Sequence, residues 1–378
     1  MTTLRWIKFG LVGFSLLFGL GLTAQVDEVR DFPDSEQGKK GTSAARTDDL
    51  RRFERVFSNA LRIAFYNVEN LFDLEDDPNT NDDDFTPTGM KAWGSARYRE
   101  KQSNIYKTLI ALGGWSPPAI VGFCEIENRF VLADVIAQTP LKQFDYQVIH
   151  KDSPDGRGID VGLIYRPDLY RPLENHWLKV VFPFSPESKT RDVLYTKGLV
   201  FQDDTIHVFI NHWPSKFGGA QASEPRRMFV GELIRKVTDS ILTANPRAQI
   251  IITGDFNDEP GDKSLLEGLG AMADTNSAKP LQLVNLMYPQ FKKGLGTEKY
   301  QSHWGLLDHF IVSQPLLNGQ GSLQTAGGKA HIFDAAFLVT EDEKYLGTMP
   351  FRTYAGPKYL GGYSDHFPVF MDLIPNKK

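Results

Sequence analysis

Asn67, Glu125, Asn211, His212, Asp255 and Asn257 share one feature of spacing: each follows directly on, or within a few residues of, an apolar, β-branched or aromatic run. These runs span residues 61–66, 119–124, 206–210 and 249–253. Carboxylate and amide oxygens suit a hard cation, and an imidazole can move a proton near neutral pH. In layered α/β folds ligands bind outside strand ends, where a side chain leaves the core while the sheet still fixes its position. Taken singly, each residue is equally well a turn former after a strand, since Asp and Asn are common there.

The elements that must position them follow from the same pattern. Strands are expected at residues 61–66, 119–124, 146–149, 161–165, 206–210, 249–253 and 307–312, with a last one beginning near His366. Helical patterns occupy residues 97–112, closing on Gly113 and Gly114, and residues 130–138, stopping before Pro140. A third runs over 223–242 with Phe229, Leu233, Val237 and Ile241 at four-residue spacing, and Ser223 with Pro225 suits its first turn. Strands separated sometimes by helices and sometimes by short turns predict mixed sheets covered by helices in one layered domain. No fixed-period repeat occurs, and no glycine pair has the spacing of a phosphate-binding loop.

Seven segments then occur in order: Phe65-Tyr66-Asn67-Val68-Glu69-Asn70-Leu71, Phe123-Cys124-Glu125, Gly158-Ile159-Asp160 with Val161 to Arg166, Asn211-His212-Trp213, Gly254-Asp255-Phe256-Asn257, Leu307-Asp308-His309 and Ser364-Asp365-His366. The series, over residues 61–373, resembles the endonuclease/exonuclease/phosphatase superfamily. Gly-Asp-Phe-Asn and Ser-Asp-His are its most specific pieces. The resemblance implies a four-layered α/β sandwich, with two central mixed β-sheets packed face to face and helices outside, and phosphoester hydrolysis with a divalent metal. It assigns Glu125 as the principal metal carboxylate, with Asn67 and Asp365 close to metal and phosphate. Asp255 and Asn257 would position the attacking water and the scissile phosphate. His212 and His366 would be the site histidines, held by Asp160 and Asp308 respectively, as in the deoxyribonuclease branch.

The chemistry agrees with that assignment. Phosphodiester hydrolysis needs a water in line with the leaving oxygen and positive charge where negative charge gathers. Oxygen ligands suit Mg2+ or Mn2+, and no Cys-rich or His-rich set argues for zinc. Carboxylate partners would hold both imidazoles as cations. His309 should face away from Asp308 by strand alternation, which gives it a packing role. His303, His207 and His176 have no motif around them. Cys124, the only cysteine, sits in an apolar run and reads as a small buried hydrophobe. The acidic stretch 73–84 reads as a solvated loop bordering the site. An additional Ca2+ there is the alternative, although the spacing is not that of an EF-hand.

The 378 residues are 41% hydrophobic, which is enough for a core without a metal or disulfide to hold it. Arg5 and Lys8, the uncharged apolar run 9–22 and Thr23-Ala24-Gln25 read as a signal peptide over residues 1–24, and so as a secreted or periplasmic protein. A polar linker over 25–58 and a catalytic domain over 59–378 complete the organisation, and no later segment could span a bilayer. The net charge of −5 leaves no sequence-wide basic footprint for a polyanion. An endonuclease cleaving nucleic acid is the leading expectation. A monomer is expected, with Arg157, Lys216, Arg226 and Arg227 as candidate phosphate contacts and the loop after His212 as a source of a stacking ring. Hydrolysis of a small or lipid phosphoester is the alternative, and a silent binding protein of the same fold is the third reading.

Overall fold

The computed structural model describes residues 60–376 apart from 115, 202 and 274–280. The expected signal peptide and linker lie outside the described residues.

Two mixed sheets form the centre of the molecule. The first has six strands in the order β14 (Leu323–Ile332), β19 (Val369–Pro375), β1 (Leu61–Leu71), β2 (Ile120–Ile126), β4 (Asp160–Tyr165) and β3 (Gln147–His150). The second has seven: β5 (Arg171–Leu178), β6 (Val193–Val200), β7 (Asp204–His212), β8 (Gln249–Asp255), β13 (Asp308–Ser313), β10 (Leu283–Asn285) and β9 (Ala271–Met272). Among the described residues only β1–β2, β7–β8 and β9–β10 pair in parallel. Three hairpins lie outside the sheets: β11 (Glu298–Tyr300) with β12 (His303–Gly305), β15 (Val339–Glu341) with β16 (Thr348–Pro350), and β17 (Tyr354–Ala355) with β18 (Lys358–Tyr359).

Strand alternation builds the layers. In β1, Ile63 and Phe65 enter the core between the sheets, while Ala64 and Tyr66 face outward to α1 (Ser95–Gly113) and α2 (Arg129–Ala137). In β8, Ile251 faces the other sheet and Ile250 and Ile252 face α3 (Ala220–Ala244). Each sheet thus buries both faces, one on its partner and one on helices, which is why its strands read as nearly continuous apolar runs. Cys124 is fully buried in the inter-sheet core.

The third helix begins at Ala220 rather than at Ser223. Gly218 and Gly219 take positive φ and end the loop, and Gly219 occupies the cap position. Ser223 therefore sits inside the helix, its Oγ donating to the Gly219 carbonyl at 2.8 Å. The last strand starts at Val369, so His366 belongs to the loop before it. Among the described residues no helix is long and apolar enough to cross a membrane.

Candidate active site

Parallel pairing of β1 with β2, in register at Asn67 and Cys124, brings their C-terminal ends together at one edge of the first sheet. In the second sheet His212, Asp255 and Asp308 lie on one register row across β7, β8 and β13, so their side chains share a face. Gly254 makes this row possible. A Cβ there would stand 2.3 Å from the carbonyl oxygen of Asn211 on the neighbouring strand. The sheets are tied together at this edge by the Asn67 amide, whose Nδ2 donates to Asp255 Oδ2 at 3.1 Å. His366 is placed by Ser364, whose hydroxyl donates to the Asn67 carbonyl at 2.6 Å and accepts the His366 backbone N–H at 3.1 Å.

Asp255 is the hub. Its Oδ1 accepts the Asn257 N–H at 2.9 Å, and its Oδ2 stands 3.7 Å from His212 Nε2 and 4.0 Å from His366 Nε2. Asn257, at φ 52°, donates its side-chain amide to the Trp213 carbonyl at 3.0 Å. Burial pushes the Asp255 carboxyl up to about 7; His366 opposes that rise and the charge of Asp308 adds to it.

The two imidazoles are driven apart. For His366, burial works against the cation, but Asp308 Oδ2 at 2.7 Å from Nδ1, together with Asp255 and Asp365, raises it well above the usual histidine value. For His212, burial and the charges of Arg191, Arg157 and His366 drive the pKa well below that value, and its Nδ1 has no hydrogen-bond partner. The expectation of two cationic histidines is therefore corrected: the surroundings favour the cation at His366 and the neutral ring at His212. The reason is Asp160, which does not hold His212. Its Oδ2 is 3.1 Å from His150 Nε2 and its Oδ1 accepts the Ser153 N–H at 2.8 Å.

Glu125, the penultimate residue of β2, takes the left-handed region, φ 57°, at the bulge where the β2–β4 register breaks between Cys124 and Ile126. Its Oε2 accepts the Asn70 N–H at 3.1 Å, while Oε1 takes no hydrogen bond among the described residues and faces the half-exposed Arg157 at 3.7 Å. A carboxylate oxygen without a donor fits a hard divalent cation, which typically takes one or two carboxylates and completes its shell with water and substrate. Asp365 Oδ2 accepts Arg352 Nη2 at 2.7 Å.

Several charged groups here carry no sequence motif. Arg191 is buried between Asp155 (3.0 Å) and the Trp213 carbonyl (2.7 Å). Arg352 lies 3.7 Å from Glu69, whose carboxylate accepts the N–H groups of Thr353 and Tyr354 and is raised to about 7 by burial and by Asp365. Lys101, fully buried on α1, donates to Thr353 Oγ1 and the Tyr363 carbonyl and is lowered to about 8 by burial. In sequence these residues look like ordinary helix or turn charges.

Of the four cations named from sequence, only Arg157 stands beside the site residues. Arg227 is buried in an ion pair with Asp258 at 2.6 Å, Lys216 lies 3.4 Å from Asp258 and Asp262, and Arg226 stands over the ring of Phe182. Trp213 is fully buried against Phe256, so the exposed ring of that loop is Phe217, at 94%. His309 points away from Asp308, its Nε2 donating to the Asp258 carbonyl at 2.9 Å and its Nδ1 accepting from the Asn285 amide at 3.0 Å.

Residues 62–374 match the Endonuclease/Exonuclease/phosphatase family. The chain belongs to that family. Among solved structures, an endonuclease/exonuclease/phosphatase family protein from Bacteroides thetaiotaomicron is 16% identical, with 83% of this chain and 97% of that one covered at a TM-score of 0.51. A humanized TDP2 from D. rerio is 14% identical over 83% and 98%, also at 0.51. A mannosyl-6-phosphatase from B. thetaiotaomicron is 15% identical over 83% and 99%, again at 0.51. At such identities the likeness is one of fold. Among curated proteins none matches. The two-sheet sandwich is the fold of this endonuclease/exonuclease/phosphatase chain, and its members hydrolyse phosphoester bonds.

Proposed function

We infer that this chain is an exported, divalent-metal-dependent phosphoester hydrolase working by in-line attack of water. One observation carries the reading: Asp255, raised to about 7 by burial, lies within 4.0 Å of two imidazoles, His212 driven well below and His366 well above the usual histidine value. Paired groups whose environments push their pKa values apart mark acid and base roles. Mg2+ or Mn2+ held by Glu125, with Asn67 and Asp365 nearby, would supply charge for the phosphate oxygens. Asp255, titrating close to working pH, takes the proton of the attacking water while Asn257 and Asn67 fix its carboxylate. His366, kept cationic by Asp308, donates to a phosphate oxygen where negative charge builds. Arg157 and Arg352, both partly exposed, are the cations available to orient the phosphate. The proposal of export rests on the N-terminal basic and apolar pattern.

The geometry favours a compact phosphoester over a long polyanion. The acidic loop 73–84 packs against the segment that follows Glu125, with the Asp73 N–H donated to Glu127 and the Asn81 N–H to the Gly156 carbonyl beside Arg157. A nucleic-acid substrate, the leading expectation from sequence, becomes the second reading, favoured by Phe217, an exposed ring five residues past His212 that a base could stack on. The test is a panel of bis-nitrophenyl phosphate, sugar and inositol phosphates, sphingomyelin, plasmid DNA and RNA, each with magnesium or with chelator. Cleavage that survives chelation, or a His366→Ala variant as active as the parent, would overturn the mechanism.

A further inference from the structure

His150 closes β3 away from the active-site row, and its ring is almost wholly enclosed, at 2% side-chain exposure. Nε2 lies 3.1 Å from Asp160 Oδ2, and Asp160 is itself anchored by the Ser153 N–H. Donation from Nε2 to that carboxylate fixes the tautomer and leaves the lone pair on Nδ1. Among the described residues Nδ1 makes no hydrogen bond. It faces Asp152 Oδ1 at 3.8 Å, beyond hydrogen-bond reach. An enclosed imidazole with one nitrogen bonded to a carboxylate and the other unpartnered 3.8 Å from a second carboxylate is the arrangement in which metal-ligating histidines are held.

The surroundings supply what such a site needs. His150 and Asp152 border a hollow of about 570 Å³ that Asp73, Asp77 and Glu127 also line. The two cations on its wall are turned elsewhere: Arg129 donates to the Val148 carbonyl at 2.7 Å and Lys151 sits over the Trp177 ring. Two ligands of one tetrahedral zinc-class ion, each about 2.1 Å from it, stand roughly 3.4 Å apart. Asp152, 83% exposed, reaches that spacing by rotation of its side chain.

We propose that His150 Nδ1 and Asp152, with Asp160 as the carboxylate that orients the imidazole, form a second cation site that takes a divalent transition ion of the zinc class. The imidazole decides the class, because Ca2+ and Mg2+ take oxygen donors whereas Zn2+, Co2+ and Mn2+ accept nitrogen. The site is separate from the one at Glu125 and shares no ligand with it.

The test is equilibrium dialysis of the chelator-stripped full chain against Zn2+, with Co2+ absorption as a second readout. The Glu125→Gln variant serves as a background in which the active-site ligand is gone. The Glu125→Gln chain is expected to keep one Zn2+. His150→Gln or Asp152→Asn in that background should weaken binding at least 100-fold, and Asp160→Asn by 10- to 100-fold. Asp152 makes no hydrogen bond among the described residues, so its replacement leaves the fold intact, and Zn2+ should raise the melting temperature of the parent but not of Asp152→Asn. Full Zn2+ affinity in both His150→Gln and Asp152→Asn, or no Zn2+ retained by the Glu125→Gln chain, would overturn the proposal. Hydrolysis of bis-nitrophenyl phosphate by Asp152→Asn, followed in parallel with magnesium, keeps this outcome distinct from that of the hydrolase reading.

Discussion

Asp308 acts through His366. Its Oδ2 holds Nδ1 at 2.7 Å while its Oδ1 has no partner, so the charge it lends the imidazole is undiluted by other donors. Asp308→Asn keeps the shape, removes the charge and leaves burial to dominate. His366 then loses its proton at lower pH. A pH–rate profile should show the alkaline limb moved down in the variant, with kcat lower by about 10²- to 10⁴-fold at neutral pH. An unchanged limb would mean that His366 is not the acid. His309, one residue on, titrates in the opposite sense. Burial lowers it from 6.5 to about 4, so the fold prefers the neutral ring and the unfolded chain takes the proton first. Its contribution is present above pH 6.5 and is lost as pH falls towards 4, worth about 3 kcal/mol over that window at roughly 1.36 kcal/mol per pH unit. Urea unfolding of His309→Gln, which can keep the bond to Asp258, should show a correspondingly shallower loss of stability across that window. The residues of the Gly-Asp-Phe-Asn and Ser-Asp-His segments were legible because motif and strand end coincide. Arg191, Arg352, Glu69 and Lys101 were not, because a charge in a turn or helix reads as solvated until the fold closes over it. Asp160 was misjudged for a related reason: adjacency to a strand shows that a carboxylate is positioned, but not which imidazole it meets.

At the scale of elements, the packing of sheet on sheet depends on Gly122. It lies on β2 opposite β7, and a Cβ there would meet Ile210 Cδ1 at 2.6 Å and Phe65 Cδ2 at 3.2 Å. Gly122→Ala should cost about 1–3 kcal/mol by overpacking, read as a lower midpoint in thermal or urea unfolding. Ile210→Val deletes the clashing Cδ1, so the double variant should recover part of that loss, and strict additivity would show that the strain lies elsewhere. The strands legible in sequence are those buried on both faces, such as β2 and β8, where apolar runs are continuous. Those that were not include the edges β5, β9 and β14, whereas the edge β3 was expected at 146–149. β5 is exposed along most of its length, and β14 carries Gly327 and Gly328 at positive φ where its register shifts against β19. Edge strands need bury only one face and are often broken by charges or bulges, so the apolar signal thins out where they occur. β6 was passed over although apolar, since Lys197 and Gly198 interrupt its run.

For the whole molecule, the charge distribution matters more than the total of −5. The acidic loop borders the site from the side of Glu127 and Arg157, and Glu75, Asp76, Asp83 and Asp84 point into solvent there. A field of that sign slows the approach of a long polyanion far more than that of a molecule with one phosphate, because every phosphate near the rim adds to the repulsion. Neutralising the four residues as Gln and Asn leaves the site's own donors and carboxylates in place. The rate on plasmid DNA, as kcat/KM, should then rise by about tenfold at low salt, where the Debye length is long, and by little at 0.5 M. The rate on bis-nitrophenyl phosphate should stay within twofold at either salt concentration. An equal change on both substrates would place the effect in the site itself. No change on DNA at low salt would mean that polynucleotides reach Arg157 and Arg352 by a route the loop does not border, and the preference for a compact substrate would lose its support.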